Sequence, residues 1–242
     1  MPRHRPEPAG GQREHGQQAR GHGRPPGMYG EEPSGPAVHA AAVSRAAGAR
    51  QVLELGAGHG RDALHRAARE GFTVRAARFS PAGPEQLREA AAQGTADQVT
   101  TAVHDIRGPL PSASASASAS ASASASASAS ASTDAVFAQL LPCMALPARE
   151  IHALTARVRG VLRPGGTSVR TVRTVRRTGD ARFGAGTGHG DGIREHGGAA
   201  VRFFPRALAG PLAGGRSGPK ARPFGKGGPP RRLRRVTRTR PR

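Results

Sequence analysis

Tryptophan is absent from this 242-residue chain, tyrosine occurs once, and aromatic residues as a whole make up 3%. Proteins that grip single-stranded nucleic acid stack bases on aromatic side chains, so no such platform is expected. The single cysteine, Cys143, excludes an internal disulfide framework and a cysteine-based zinc site. No apolar run approaches the ~20 residues needed to span a bilayer. The first 27 residues hold no apolar segment of the secretory kind. A cytoplasmic protein without membrane association is the expectation. Lysine is nearly missing too: of 37 basic residues, all but Lys220 and Lys226 are arginine.

Against 16 acidic residues those cations give a net charge of +21. Such a charge attracts polyanions, nucleic acid first, and predicts non-specific binding through the Arg-rich tails. A GC-rich coding sequence would also raise arginine, alanine, glycine and proline together. Hydrophobic residues make up 36%, with 34 glycines and 21 prolines. One domain with a modest core and long irregular segments fits these numbers.

Residues 1–27 carry no periodicity and read as a disordered basic tail. An Ala-rich stretch at 37–47, stopped by Gly48, has helical character. From Gln51 the chain alternates "QVLEL" as strand, "RDALHRAAREG" as helix and "FTVRAARFS" as strand. "GPEQLREAAAQG" follows as helix and "QVTTAVHDI" as strand. An unbroken Ser-Ala alternation at 112–132 has no large side chain to bury and reads as a flexible insertion. The alternation resumes with "DAVFAQLL", "PAREIHALTARVRGVL" and, after "RPGG", "TSVRTVRTV". "AAVRFF" is strand-like. The 210–242 segment reads as an Arg-rich end with degenerate closing strands, marginal at Leu233 and Val236. Strands separated by helices of these lengths predict an α/β, Rossmann-like, mostly parallel twisted sheet with helices on both faces.

Chemistry concentrates in "VLELGAGHGRD". A strand, a tight glycine turn and a helix together form an anion- or nucleotide-binding corner, because the helix N-terminus presents free N–H groups. Gly56, Gly58 and Gly60 form G-x-G-x-G behind Glu54, whereas a dinucleotide fold wants G-x-G-x-x-G and an acid ~20 residues on.

This arrangement resembles motif I of class I S-adenosylmethionine-dependent methyltransferases. "VTTAVHDIRGPLP", "DAVFAQLLPCMAL" and "VRGVLRPGGTSV" resemble that family's later segments in order, and "MYGEEPS" its N-terminal segment over the cofactor. "GAGHGRDALHRAAREGFTV" is most similar to small-molecule methyltransferases of the tellurite-resistance-like group; the resemblance spans roughly residues 28–204. It implies a domain at 28–209 that binds S-adenosylmethionine and methylates a small-molecule acceptor. The methionine part would lie against Gly56, Ala57, Gly58 and Gly60, with Glu54 near its ammonium. Asp105 would accept from the adenine amine, with Ile106 beside the ring. The alternative is a catalytically silent member of this fold that binds nucleic acid through its arginines.

One position departs from the family. The second strand should end in an acid that holds the ribose hydroxyls, and Arg78 stands there. A guanidinium has no acceptor, so cofactor affinity should fall by about 1–3 kcal/mol. Arg78 would suit a 2′-phosphate, but the glycine spacing and "LRPGG" speak against a dinucleotide.

Weaker candidates face the substrate: Tyr29, Cys143, His189, Asp191 and His196. Tyr29 either closes over the cofactor or packs. Cys143 reads as a small buried side chain rather than a nucleophile. The glycines in "HGDGIREH" leave no ligand spacing, so no metal is assigned.

Overall fold

A computed structural model describes residues 32–78, 87, 96–111, 131–174, 188, 190–196, 199–204, 220–226 and 231–242. The helix at Gly35–Ala46 (α1) begins at Ser34, whose backbone is extended and whose hydroxyl accepts from the Ala37 N–H. Pro36 sits in its first turn, where a missing N–H costs nothing. Then follow β1 (Gln51–Leu55), α2 (Arg61–Ala68), β2 (Thr73–Arg78), β3 (Val99–Val103) and β4 (Thr133–Gln139). After them come α3 (Ala148–Val161), β5 (Leu162–Arg173), β6 (Ile193–His196), β7 (Ala199–Arg202), β8 (Lys220–Lys226) and β9 (Arg231–Thr239). The helix expected at "GPEQLREAAAQG" and the Ser-Ala run lie outside the described residues, apart from Leu87 and the run's last two residues, Ala131 and Ser132.

Seven strands form one sheet in the order β3-β2-β1-β4-β5-β9-β8. The first five are mutually parallel; β9 runs antiparallel to both β5 and β8. The alternating side chains of the parallel strands enter two separate cores. Val52, Val74, Ala76 and Ala135 pack with Ala41, Ala63 and Ala67 of α1 and α2. Their neighbours Leu53, Leu55, Ala77, Val136 and Ala138 pack with Leu154, Val158 and Val161 of α3. A parallel strand buried on both faces reads as a continuous apolar run, as "VLEL" and "AVFA" do.

The far side of the sheet differs from the sequence expectation. The marginal segment around Leu233 and Val236 is a nine-residue strand inserted between β5 and β8, with the two side chains 3% and 1% exposed. Their spacing of three places them on opposite faces of the strand, so both faces gain an apolar contact while the alternation looks polar throughout. β6 and β7 form a separate antiparallel pair, joined to the segment after β4 by a bridge between Met144 and Val201. No helix among the described residues is long and apolar enough to cross a membrane.

If β9 belongs to the core as its burial implies, Leu233→Ala lowers unfolding stability by about 2–5 kcal/mol. Urea denaturation measures this, and a loss below about 0.5 kcal/mol, the surface range, contradicts it.

Candidate functional site

β1 has β2 on one side and β4 on the other, so the chain leaves its C-terminal end at the point where the strand order reverses. Crevices at such switch points are where open α/β sheets bind ligands. The glycine turn sits in that crevice. Gly56 and Ala57 both donate to the Ala77 carbonyl, at 2.8 and 3.2 Å, which ties the turn to the end of β2. Gly56, Gly58 and Gly60 have φ of +74°, +58° and +90°, the left-handed region that side chains rarely adopt. Gly60 is the N-cap of α2 and makes no side-chain capping bond. A Cβ there would collide with Leu87, whereas one at Gly58 would meet open space. The turn therefore packs tightly at its helix end and leaves its middle accessible to a ligand.

Beneath the turn lies a buried polar layer. Glu54, 3% exposed, accepts from Arg66 Nη1 at 2.5 Å, and the Arg66 guanidinium stacks 3.9 Å above the Phe137 ring. Burial pushes the Glu54 carboxyl up to about 7, outweighing the opposite pull of Arg66. Asp62, in the first turn of α2, accepts from the Ser34 N–H at 2.8 Å. Its other oxygen lies 2.8 Å from Ser34 Oγ, which also lies 2.5 Å from Gln139 Oε1. Thus Ser34 joins the start of α1, the start of α2 and the end of β4.

Arg78 is the last residue of β2 and is buried, with Nη2 donating to the Gly58 carbonyl. Its cation is thus held on the Gly58 carbonyl, while the Cα side of Gly58 stays open. Asp105 follows β3 on the same edge of the sheet, two strands away, or roughly 10 Å. One carboxylate oxygen accepts from the Arg107 N–H at 2.9 Å, and the other lies 3.5 Å from Arg107 Nη1. Arg107 is also tied to Glu150 at 3.0 Å. Asp105 keeps 40% side-chain exposure. Ile106 packs between the α3-side core and the cluster around Cys143.

The weaker candidates divide. Cys143 is buried among Leu146, Ile151, Val172 and Phe204, and accepts from the Arg173 N–H at 2.9 Å. Burial drives its thiol up to about 12, so it is no thiolate at neutral pH. Asp191, left-handed at φ +52°, accepts from the Ala148 N–H and from buried Arg202. Burial raises its pKa, but those contacts outweigh it and the net shift is downward. His196 lies on β6. Tyr29 and His189 are outside the described residues.

Several residues of the site escaped sequence reasoning. Leu141 packs against Gly56, and Leu87 against Gly60. Ser34, Arg66 and Gln139 hold the layer beneath. An acid in the first turn of a helix, as at Asp62, was the one available signal, because it favours a helix N-terminus.

The fit to the expected cofactor is mixed. The open Cα side of Gly58 and half-exposed Asp105 suit it, while Glu54 is engaged by Arg66, and Arg78, which has no acceptor, stands where the resemblance expects one for the ribose.

No family model and no curated protein matches the sequence. Solved structures do. A Burkholderia thailandensis 1,6-didemethyltoxoflavin-N1-methyltransferase, solved with bound 1,6-didemethyltoxoflavin and S-adenosylhomocysteine, is 18% identical with a TM-score of 0.67, over 100% of this chain and 93% of that one. The fold is that of a class I methyltransferase. The CcbJ methyltransferase of Streptomyces caelestis is 20% identical with a TM-score of 0.60, over 92% and 96% of the two chains. An S-adenosylmethionine-dependent methyltransferase of Methanosarcina mazei is 13% identical with a TM-score of 0.58, over 78% and 92%.

In this methyltransferase fold the raised Glu54 pKa has a thermodynamic consequence. Between about pH 4.5 and 7 the folded protein holds a proton there that the unfolded chain releases. The contribution of this group to stability is therefore full below that window and falls as pH rises through it. Glu54→Gln removes that component. Urea unfolding of both proteins across the window is expected to show a more negative slope for the wild type, and equal slopes contradict the assignment.

Proposed function

We propose that the chain binds S-adenosylmethionine at its glycine turn and transfers the methyl group to a small molecule. The observation that carries this reading is the left-handed G-x-G-x-G turn at the switch point of the sheet, open at Gly58 and followed by Asp105 on the same edge. The likeness to the Burkholderia and Streptomyces enzymes supports it. The segment "GAGHGRDALHRAAREGFTV" favours the tellurite-resistance-like group of small-molecule enzymes within that fold.

When bound, the sulfonium supplies an already activated methyl group. What remains for this chain is positioning and exclusion of water. Gly56, Ala57, Gly58 and Gly60 offer backbone to the methionine part, and Asp105 and Ile106 offer an acceptor and an apolar surface to the adenine. Glu54, held by Arg66, sets the end of β1 beneath the turn. The acceptor would enter over the segment after β4; His196, and by sequence alone Tyr29 and His189, are the candidates to meet it. Cys143 and Asp191 support that wall through packing and through the Arg202 contact. The catalytic unit is residues 28–209, interrupted at 112–132 and extended by β8 and β9, with residues 1–27 as a basic tail. Its place of action is the cytoplasm. A nucleic-acid role through Arg-rich tails has less support, since the arginines of 231–239 belong to a sheet strand.

Isothermal titration with S-adenosylmethionine and S-adenosylhomocysteine tests the reading on the wild type and Arg78→Asp, with circular dichroism verifying the fold. Replacing the cation by an acceptor tightens binding by about tenfold, within the 1–3 kcal/mol of a charged hydrogen bond. No heat of binding for either protein at about millimolar ligand sinks the proposal.

A further inference from the structure

The antiparallel pair β6–β7 stands apart from the seven-stranded sheet. Among the described residues two bridges join it to the rest: Val201 to Met144 in the segment after β4, and Phe204 to Thr174 just past β5. Both lie at the C-terminal edge of the parallel strands, the edge that carries the glycine turn. The pair and the residues after it give Val201, Phe203 and Phe204 to the cluster around Cys143. The other buried members, Cys143, Leu146, Ile151 and Val172, belong to the segment after β4, to α3 and to β5. Ile106, beside Asp105, packs against the same cluster.

One polar knot closes the pair down. Arg202, the last residue of β7, is fully buried; its Nε donates to the Leu146 carbonyl at 2.6 Å and its Nη2 to Asp191. The same Asp191 oxygen accepts from the Ala148 N–H at the start of α3, where the N-cap residue, Pro147, has no side-chain oxygen to offer. Asp191 thus caps a helix 43 residues away while pairing with the strand beside it. Gly190, Asp191 and Gly192 have φ of +75°, +52° and +74°. A non-glycine residue persists in left-handed backbone where its surroundings hold it there. A Cβ at Gly192 would lie 2.9 Å from the Phe203 carbonyl oxygen, so the chain enters and leaves the pair in close contact.

The knot is asymmetric. Asp191 keeps 47% side-chain exposure, whereas Arg202 keeps none. Asp191 can exchange its partners for water at small cost. Arg202 would then keep the Leu146 carbonyl and the Phe204 ring, 5.7 Å away, but no counter-charge. A buried cation left in that state is costly. Release of the carboxylate therefore favours movement of the arginine, and of β7 with it, into water. Contacts that break together in this way define a cooperative opening unit.

We propose that β6–β7 is a flap, latched by Asp191 to Arg202 and to α3 and hinged at residues 190–192, that opens as a unit while the seven-stranded sheet stays folded. Opening uncovers the apolar face of Cys143, Leu146, Ile151 and Val172 next to Ile106. Its use as a gate for the methyl acceptor rests on the proposed function; the opening itself does not.

Cys143 is the only cysteine in the chain and reports the opening. Its labelling by excess dithiodipyridine, an uncharged thiol reagent, is followed in the full chain without ligand as urea rises toward the unfolding midpoint. At low urea the expected rate exceeds that allowed by global unfolding, and its urea dependence is well below the global m-value. Asp191→Asn, which keeps the shape but removes the charge, speeds labelling at low urea about tenfold. Val74→Ala, in the core on the other face of the sheet, lowers global stability yet leaves that rate unchanged. If Asp191→Asn does not fold, the wild type and Val74→Ala still decide the matter. Amides of residues 193–202 exchange through the same opening, faster than those of Val136 and Val169 in the sheet. The proposal is overturned by labelling that follows global unfolding in slope, or by a Val74→Ala rate raised in step with its lost stability. An Asp191→Asn rate equal to that of the wild type, or amides of 193–202 protected as strongly as the sheet, overturns it too. No ligand enters the test, so its outcome is independent of S-adenosylmethionine binding.

Discussion

The Glu54–Arg66 pair joins the strand that leads into the glycine turn to the helix that leaves it, and removing one partner would leave a buried charge beneath the crevice. Glu54 is the penultimate residue of β1; Arg66 is on the helix that the turn launches. A 2.5 Å contact therefore ties strand to helix beside the packing of Ala63 and Ala67 on Val52 and Val74, and Phe137 of β4 supports the guanidinium from its open face. Such a pair need not add net stability, because both groups lose their water. Its effect is geometric, since removing either partner strands the other in the core. Ser34 extends the same layer outward by joining α1 to Asp62 and Gln139.

Arginine dominates the cationic residues, and the fold must bury several of them. Buried Arg66 has Glu54 and buried Arg170 the Thr155 hydroxyl; two other buried arginines, and two half-buried ones, place guanidinium N–H groups on backbone carbonyls. Arg78 uses Gly58, Arg202 uses Leu146 at 2.6 Å, Arg157 uses Ile106 at 2.9 Å, and Arg240 uses the end of α3. Carbonyls carry two lone pairs and can accept a second donor without breaking secondary structure. This lets a chain with few acids house its cations. At Arg78 the same solution reaches into the ligand crevice, where structural accommodation and ligand binding compete for the same turn.

Much of this was legible in the sequence where one element announces itself through its own residues. "VLELGAGHGRDALHRAA" shows an apolar strand, left-handed glycines and an amphipathic helix in direct succession, and β1, the turn and α2 follow that order. Legibility failed where two elements must meet. Ser34 and Asp62 are 28 residues apart, and neither carries a local signature of the other. Arg78 and Gly58, 20 residues apart, likewise meet only once β2 lies beside the turn. β9 was obscured for a different reason: Leu233 and Val236 serve opposite faces, so a period-two reading scores the strand as polar although both are buried.

The central claim is that the turn after β1, with Asp105 beside it, is where a ligand is held. Amide hydrogen exchange with and without S-adenosylhomocysteine addresses that claim residue by residue. Slowed exchange is expected at the amides of Gly56 to Gly60 and at Asp105 to Arg107, with little change on β9. Binding that leaves those amides unprotected, or protects β9 instead, would contradict it.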